Sequence, residues 1–319
     1  MSRLRGEGST MTKRADWIWM DGALKRWEDA TVHVMSHALH YGSSVFEGIR
    51  VYDTPDGPAV FRLMDHVKRL FTSAKVYRIG IGHTPQEVFD ACVETSSVNR
   101  LKAGYIRPLA FRGAGPIGVS AMDTPIHTMI AAFPWGAYLG EDGLKNGVDV
   151  CVSSWRRLAP GTVPPGIKAG GNYLSSMLIT YEAKDRGFHE GIGLGTDGLL
   201  SEGAGENLFL VQDGVIYTPP SSASILKGIT RATAITLAGR LGYKVIEQTL
   251  PREALYSAEE AFFTGTAAEI TPIRSVDGMA VGNGDRPVTR AIQDAFFGLF
   301  SGKTEPEPGW LTPVPAPKD

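Results

Sequence analysis

Strand-type and helix-type segments alternate along this chain, and tight turns containing glycine separate the first of them. Asp21-Gly22 lies between two short apolar stretches, and residues 54–57 (Thr-Pro-Asp-Gly) lie between two more, so each predicts a β-hairpin. Apolar residues at helical spacing follow at 67–74, and residues 84–87 (Thr-Pro-Gln-Glu) predict the capped start of a second helix. Hairpins with few crossovers predict an α+β arrangement for this half of the chain.

The second half mixes strand and helix signals around what we expect to be a larger sheet. Strand-like segments lie at 148–153, 191–196, 206–212, 243–248 and 260–264. One predicted helix carries Leu174, Met177, Leu178 and Tyr181 on one face, another starts near Thr230, and a last one covers about 288–300.

These patterns predict an α+β protein with two domains. We expect a small α+β domain at 14–133, an interdomain loop at 134–145, which is rich in glycine and aromatic residues, and a larger domain at 146–301. The polar residues 1–13 are expected to be a flexible N-terminus, and the proline-rich residues 302–319 a loosely ordered tail.

Composition excludes several classes of partner. The 319 residues include 32 basic and 34 acidic side chains, so there is no charge excess for binding nucleic acid or an anionic membrane. No apolar run has the length of a transmembrane helix, and the N-terminus lacks the apolar stretch of a secretory signal. Cys92 and Cys151 lie in apolar contexts and predict buried free thiols, so the expected location is cytoplasmic.

Three short patterns suggest other chemistry but lack the context that it needs. Residues 193–198 match G-x-G-x-x-G, yet a turn and a strand follow instead of the helix that a dinucleotide requires. Residues 298–304 are one residue short of a P-loop and predict a helix end with a glycine cap. His33, His37 and His40 have no fourth ligand placed with them, so we interpret them as structural and predict no metal site.

Four glycine-containing segments carry the remaining signal, because glycine lets the backbone approach a ligand closely. They are Lys-Ala-Gly-Gly-Asn-Tyr at 168–173, Ser-Glu-Gly-Ala-Gly-Glu-Asn at 201–207, Lys-Gly-Ile-Thr-Arg at 227–231 and Thr-Gly-Thr-Ala-Ala-Glu at 264–269. With the stretches 32–42, 46–48 and 131–140, they make the chain resemble the bacterial branched-chain amino acid aminotransferases, which are fold-type IV pyridoxal-phosphate enzymes. The resemblance extends from Ala15 to about Trp310, with departures such as Lys227, where the family often has proline.

The resemblance implies a small α+β domain, a larger pseudo-barrel α/β domain and pyridoxal 5'-phosphate as the cofactor. Lys168 matches the catalytic lysine that forms the Schiff base, Glu202 the carboxylate beside the ring nitrogen, and Tyr173 the partner of the ring's phenolic oxygen. The residues matched to the phosphate are Arg69, Ile229, Thr230 and Thr266. From the residues alone, a solvated Arg69 and a core Tyr173 remain open alternatives.

The resemblance also implies a pocket for two unlike substrates, an aliphatic amino acid and glutamate. Its apolar wall matches Phe46, Trp135, Tyr138 and Tyr173 of one chain, with Tyr41 and Val119 of a neighbouring subunit. The α-carboxylate matches Tyr105 and the backbone of Thr266 and Ala267, and the side-chain carboxylate of glutamate matches Arg107. From the residues alone, Tyr105 and Arg107 share one strand face and could equally form a structural pair.

The implied activity is reversible amino transfer between leucine, isoleucine or valine and 2-oxoglutarate by a ping-pong mechanism. The expected assembly is a homo-oligomer, at least a dimer, with a hexamer left open. D-amino acid transaminases, amine transaminases and aminodeoxychorismate lyases share the lysine and the glutamate and stay open as alternatives, although Tyr105-x-Arg107 and the loop at 133–140 favour the branched-chain enzyme. A catalytically silent cofactor-binding protein is the alternative from another class.

Overall fold

The computed structural model describes residues 15–136 and 138–317, so the predicted flexible segment 1–13 lies outside the described residues. The first half contributes strands β1 (Trp17–Met20), β2 (Ala23–Arg26), β3 (Ser44–Phe46), β4 (Ile49–Thr54), β5 (Gly57–Phe61), β6 (Gly104–Arg112) and β7 (Ile126–Phe133). Its α-helices are α1 (His37–Tyr41), α2 (Leu63–Val76) and α3 (Pro85–Val98).

The second half contributes helices α4 (Gly140–Asn146), α5 (Tyr173–Asp185), α6 (Ile229–Arg240), α7 (Ala254–Ser257) and α8 (Pro287–Ser301). Its strands are β8 (Val148–Arg156), β9 (Glu190–Leu194), β10 (Leu200–Gly203), β11 (Asn207–Gln212), β12 (Val215–Thr218), β13 (Val245–Glu247), β14 (Glu260–Gly265), β15 (Glu269–Val276), β16 (Met279–Ala280) and β17 (Leu311–Pro313). Short 3-10 turns lie at Trp27–Asp29 and Gly170–Asn172.

The first sheet is antiparallel, in the order β17-β5-β4-β6-β7-β1-β2, with β3 paired to β6. Both predicted hairpins are present, and the turn between β1 and β2 places Asp21 and Gly22 at positive φ, which glycine adopts without steric cost. The predicted capping box is also present, because Thr84 Oγ1 accepts from the Glu87 amide at 3.2 Å and the Glu87 carboxylate accepts from the Thr84 amide at 2.6 Å.

The second sheet is mixed, in the order β10-β9-β8-β15-β14-β11-β12-β13, and β8 pairs in parallel with both of its neighbours. Strand β15 lies in the middle of this sheet but was not predicted from the sequence. Its Pro272 is unusual there, since proline cannot donate the ladder hydrogen bond of a central strand. The pairing of β15 with β8 begins only at Ile273, so Pro272 has a strand neighbour on the β14 side alone.

The prediction of a loosely ordered tail is wrong for residues 302–317. Strand β17 pairs with β5 at the edge of the first sheet, with Leu311 opposite Phe61, and Trp310 is buried against Phe61 at a ring-centre distance of 5.8 Å. The prolines of this segment are compatible with a strand because an edge strand has one unpaired side. The segment 134–145 also differs from the predicted interdomain loop, since it contains most of helix α4.

Helix α5 forms as predicted, but its predicted apolar row does not face the core. The buried side chains of α5 are Ser176, Ile179 and Ala183, which lie toward β8 and β9. The row itself is exposed in the single chain and consists of Leu174, Met177, Leu178 and Tyr181. The row is therefore an apolar strip on the surface of the single chain.

The short patterns that we rejected as functional motifs have structural roles. Residues 193–198 include the turn of the β9–β10 hairpin, where the Gly195 amide donates to the Leu199 carbonyl at 2.8 Å. Helix α8 ends at Gly302 in the left-handed conformation, as predicted. His37 is buried and bonds Ser43 Oγ at 2.7 Å and the Gly118 carbonyl at 2.9 Å. Among the described residues, no helix has the length and apolar character needed to cross a bilayer.

Three apolar clusters stabilise this arrangement. One lies between the first sheet and helices α2 and α3, and a second lies within the larger sheet. The third packs α6 and α8 on β11 and β14 and also includes Phe61 and Trp310, so it joins the two halves of the chain. We propose that the two sheets are the cores of the two expected domains, with the boundary in 134–145.

Candidate active site

A cavity of about 430 Å³ opens where strands, helices and loops from both halves of the chain meet. All the predicted site residues except Tyr41 and Val119 line this cavity. The lining residues among them are Phe46, Arg69, Tyr105, Arg107, Trp135, Tyr138, Lys168, Tyr173, Glu202, Ile229, Thr230, Thr266 and Ala267. Tyr41 and Val119 are exposed elsewhere on the surface, as expected for residues assigned to a neighbouring subunit's pocket, and their role stays a prediction.

Lys168 lies between β8 and α5, and hydrogen bonds fix both its side-chain amine and its backbone carbonyl. Its Nζ donates to the Tyr173 hydroxyl at 2.6 Å, while its carbonyl accepts from the Phe46 amide at 3.1 Å. The glycines that follow allow close backbone packing against the first sheet, because a Cβ on Gly170 would lie 2.3 Å from Ser44 Oγ. The side-chain amine is therefore directed into the cavity by contacts from both halves of the chain.

Glu202 is buried on β10 and accepts hydrogen bonds at both carboxylate oxygens. Oε1 accepts from Arg157 Nη2 at 2.5 Å, and Oε2 accepts from Asn207 Nδ2 at 2.9 Å and from the Leu226 amide at 3.0 Å. Burial raises the pKa of Glu202, and the Arg157 charge and the Leu226 amide oppose that rise. These partners hold the carboxyl group in one orientation at the cavity wall.

Arg69 projects from α2 toward the first turn of α6. Its Nε and Nη2 donate to the two carboxylate oxygens of Glu47, both at 2.7 Å, and its Nη1 donates to the Lys227 carbonyl at 2.9 Å. The remaining N–H groups of the guanidinium stay available for a ligand. The first α-helical bond of α6 runs from Ala232 to Gly228, so the amides of Ile229 and its next neighbours have no acceptor within the helix. This geometry suits an anion.

Glu47 is fully buried between Arg69 and His66. Burial alone would raise the pKa of Glu47, but the charge and hydrogen bonds of Arg69, together with a 2.7 Å bond from His66 Nδ1, hold it far below its usual range. Burial lowers the pKa of His66, although the Glu47 carboxylate opposes that effect. The guanidinium is thus fixed by a buried carboxylate through Nε and Nη2.

Part of the cavity wall is aromatic. Tyr105 packs edge-on to Trp135 at a ring-centre distance of 4.3 Å, and the Arg107 guanidinium lies 4.7 Å from the centre of the Phe46 ring. Arg107 Nη2 also donates to the Tyr105 hydroxyl at 3.2 Å. Burial raises the pKa of Tyr138, with Glu206 adding to the rise, so this phenol stays neutral near pH 7. The arrangement offers an apolar wall with one cation beside it.

Several buried polar residues of the site were missed from the sequence. Glu47, Arg157 and Asn207 contact predicted site residues directly, and Arg50 donates to carbonyls of the lining residues 135, 266 and 267. Glu47 and Asn207 lie within the motifs that carried the resemblance, which was the available signal. Within the described residues, no group of His, Cys, Asp and Glu is placed to hold a metal ion.

Comparison with known proteins places this geometry in a family. The family pattern described as amino-transferase class IV matches residues 44–276, which include Lys168 and Glu202. The chain belongs to the class IV aminotransferase family. The expected α+β, fold-type IV architecture is therefore confirmed.

Individual members of this family match almost the whole chain. The chain is 57% identical over 307 residues to the branched-chain-amino-acid aminotransferase of Salmonella typhimurium, covering 95% of this chain and 99% of that protein. The crystal structure of the Escherichia coli branched-chain amino acid aminotransferase has a TM-score of 0.93 at 56% identity and covers 95% and 100% of the two chains. The T.th. branched-chain amino acid aminotransferase complexed with N-(5'-phosphopyridoxyl)-L-glutamate has a TM-score of 0.88 at 42% identity, with 95% and 99% covered.

Proposed function

We propose that this protein is a pyridoxal-5'-phosphate-dependent aminotransferase that transfers amino groups between branched-chain amino acids and 2-oxoglutarate. The observation that carries the proposal is one cavity with an amine, a buried carboxylate and unused anion donors on its walls. The names of the Salmonella and Escherichia coli relatives support the branched-chain substrates. The ligand of the T.th. enzyme joins the phosphopyridoxyl group to L-glutamate, which supports both the cofactor and the second substrate.

The residues that line the cavity suit each chemical group of the cofactor. Lys168 would hold it covalently, Glu202 would face its ring nitrogen, and Tyr173 its phenolic oxygen. The phosphate would take Arg69, the first amides of α6 and Thr266, because each has a donor without an acceptor among the residues that the structure describes. When bound, the cofactor supplies an electron sink for the substrate's Cα carbanion.

The side chains then divide the remaining tasks. The Lys168 amine would take the proton from the substrate Cα and deliver it to the cofactor carbon that keeps the transferred nitrogen, and Tyr173 would orient that amine through their 2.6 Å hydrogen bond. Tyr105 and the Thr266–Ala267 backbone hold the α-carboxylate. Phe46, Trp135 and Tyr138 exclude water from an aliphatic side chain, and Arg107 pairs with the side-chain carboxylate of glutamate.

We infer a homo-oligomer, at least a dimer. The exposed apolar row of α5, together with Tyr41 and Val119, supports a second copy as the partner, since a monomer would leave this surface in water. Light scattering coupled to size-exclusion chromatography tests the inference. A mass of two or more chains is expected, and a monomer at the concentration used in turnover assays would contradict it.

We also propose a cytoplasmic location. The structure contains Cys92 and Cys151 as free cysteines, which supports a reducing compartment. Burial raises the pKa of the Cys151 thiol to about 11, so it stays protonated and unreactive. Fractionation of the native host cells checks the location, and recovery with membranes or the culture medium would contradict it.

Turnover with L-leucine and 2-oxoglutarate tests the function. The wild type should form glutamate, and Lys168→Ala should lose roughly 10³-fold or more because no other base replaces the amine. Lys184→Ala is the control, since Lys184 bonds the His189 carbonyl outside the cavity. Wild-type-like turnover by Lys168→Ala would contradict the assignment.

A substrate panel separates this activity from its relatives in the same fold. L-leucine should be a far better amino donor than D-alanine or a simple chiral amine. Replacing Arg107 by alanine should reduce turnover of glutamate more than turnover of leucine, because only glutamate presents a second carboxylate. Equal losses for both substrates would contradict the assigned role of Arg107.

A further inference from the structure

Arg50 on β4 joins two segments that line the cavity without lining the cavity itself. Its guanidinium donates to four carbonyls: Nε to Thr266 at 3.2 Å, Nη2 to Ala267 and Gly136 at 3.0 Å each, and Nη1 to Trp135 at 3.1 Å. The side chain is buried, so these bonds are shielded from water. One arginine of the first sheet thus fixes both the β14–β15 turn and the segment leading out of β7.

The bond to Thr266 determines where the next amide points. In a planar trans peptide, the carbonyl of one residue and the N–H of the next point in opposite directions. Because the Thr266 carbonyl faces Arg50, the Ala267 N–H faces away from it, and Ala267 lines the cavity. That amide donates to no group in the part of the chain that the structure describes. An amide in this position needs an acceptor, which a ligand would supply.

The positive charge of Arg50 also favours the Ala267 amide as a hydrogen-bond donor to a ligand. Within the described residues, its guanidinium has carbonyl partners but no carboxylate at ion-pair distance. The nearby acid is Glu269, whose pKa is raised by burial and whose carboxyl accepts from the Tyr52 hydroxyl at 2.8 Å. A positive charge bound to the carbonyl side of a peptide strengthens the N–H on its other side as a donor.

We propose that Arg50 is a positioning residue for the substrate's α-carboxylate. It holds the Ala267 amide toward the cavity, backs that amide with a positive charge, and locks residues 135–136 against the same turn. The inference rests on the proposed function and adds the group that arranges its carboxylate site. Arg50 acts through the backbone of other residues and does not touch the substrate.

The test compares Arg50→Lys with Arg112→Lys in the holoenzyme. Arg112 is a matched control because it is also buried in the first sheet and donates to backbone carbonyls, those of Tyr77, Arg78 and Ala121, away from the cavity. Lysine keeps the charge at position 50 but loses the planar fork that reaches several carbonyls at once. The readouts are kcat and KM for L-leucine and the dissociation constant of 4-methylpentanoate, which is leucine without its amino group.

Arg50→Lys should raise both the KM and the dissociation constant by roughly 10–100-fold, with kcat reduced far less, while Arg112→Lys should change neither. An unchanged KM, or an equal change in Arg112→Lys, would overturn the proposal. A wild type with no turnover would instead refute the proposed function on which it rests.

A second measurement does not depend on the variant folding. In the wild type, 4-methylpentanoate should slow hydrogen exchange in peptides containing residues 266–268, because the Ala267 amide gains an acceptor. Bound ligand without this protection would overturn the proposal.

Discussion

Gly48, immediately before β4, sets how closely Tyr105 can approach the cavity. A Cβ at position 48 would lie 1.7 Å from the Tyr105 hydroxyl oxygen, a distance that no side chain can keep. Gly48→Ala should therefore displace the hydroxyl that we assign to the α-carboxylate and raise the KM for L-leucine by roughly 10–100-fold. Gly239→Ala is the control, because nothing lies within 4 Å of the added methyl group. Steady-state kinetics check this, and a KM within about twofold of wild type would contradict it.

Glu47 contributes to stability through a pKa that folding lowers. A carboxyl group of this kind stabilises the fold above its unfolded pKa of 4.5, and the contribution is lost as the pH falls through the lowered folded value. Glu47→Gln should cost about 3–5 kcal/mol near pH 7, because it leaves the Arg69 charge buried without its partner. Urea unfolding at several pH values measures the difference. The difference in unfolding free energy between the wild type and Glu47→Gln should shrink below pH 4.5, and a difference that grows there would contradict the lowered pKa of Glu47.

At the scale of elements, local turn chemistry made much of the fold predictable. The hairpins at 21–22 and 54–57 and the start of α3 depend on a few consecutive residues, and all three form as predicted. Strands β15 and β17 could not be predicted in this way, because their prolines argue against strands and their pairing partners are distant in the chain. The apolar row of α5 shows a similar limit, since periodicity identifies the face but not what covers it.

The residues of the site also fall into two groups: those that sequence motifs identify, and those whose role depends on contacts between distant segments. The glycine motifs and the resemblance identified Lys168, Glu202 and Arg69 as candidates, and the fold brings all three to one cavity. The partners that fix them, such as Glu47 and Arg157, could not be predicted as such. A buried ion pair depends on where two distant segments meet, and a charged residue in a sequence is usually exposed.

Strand β17 gives a prediction at the same scale. Trp310 packs on Phe61, and the guanidiniums of Arg62 and Arg240 lie 5.0 and 5.9 Å from its ring centre, so it bridges β5 and α6. Trp310→Ala should lower the free energy of unfolding by about 3–5 kcal/mol, the usual cost of removing a buried aromatic side chain. Chemical denaturation measures it. Pro315→Ala, at an exposed position nearby, is the control, and a loss below about 1 kcal/mol for Trp310→Ala would show that the segment is a loose tail after all.

At the scale of the whole molecule, the cavity exists because both sheets contribute to it, and this leaves buried acids beside it. Burial raises the pKa of Glu206 well above its usual range, and the charges of Glu190 and Glu202 add to the rise. At this one carboxyl group, the native state therefore holds a proton more tightly than the unfolded chain does. This contribution to stability is present below the unfolded pKa and is lost as the pH rises through the folded value.

Glu206→Gln should remove this dependence, because the amide is neutral at every pH. Between about pH 5 and pH 9, the wild type should lose more unfolding free energy than the variant. Thermal or urea unfolding of both proteins across that range provides the comparison. Parallel curves would contradict the raised pKa.

The visible absorbance of the purified protein supplied with pyridoxal 5'-phosphate tests the cofactor and both substrates together. We expect a yellow band that fades when L-leucine is added and returns when 2-oxoglutarate follows, because each substrate completes one half of the amino transfer. The Lys168→Ala variant should not show this cycle. A yellow band that does not respond to leucine would contradict the branched-chain assignment, and the absence of any band would contradict the cofactor site itself.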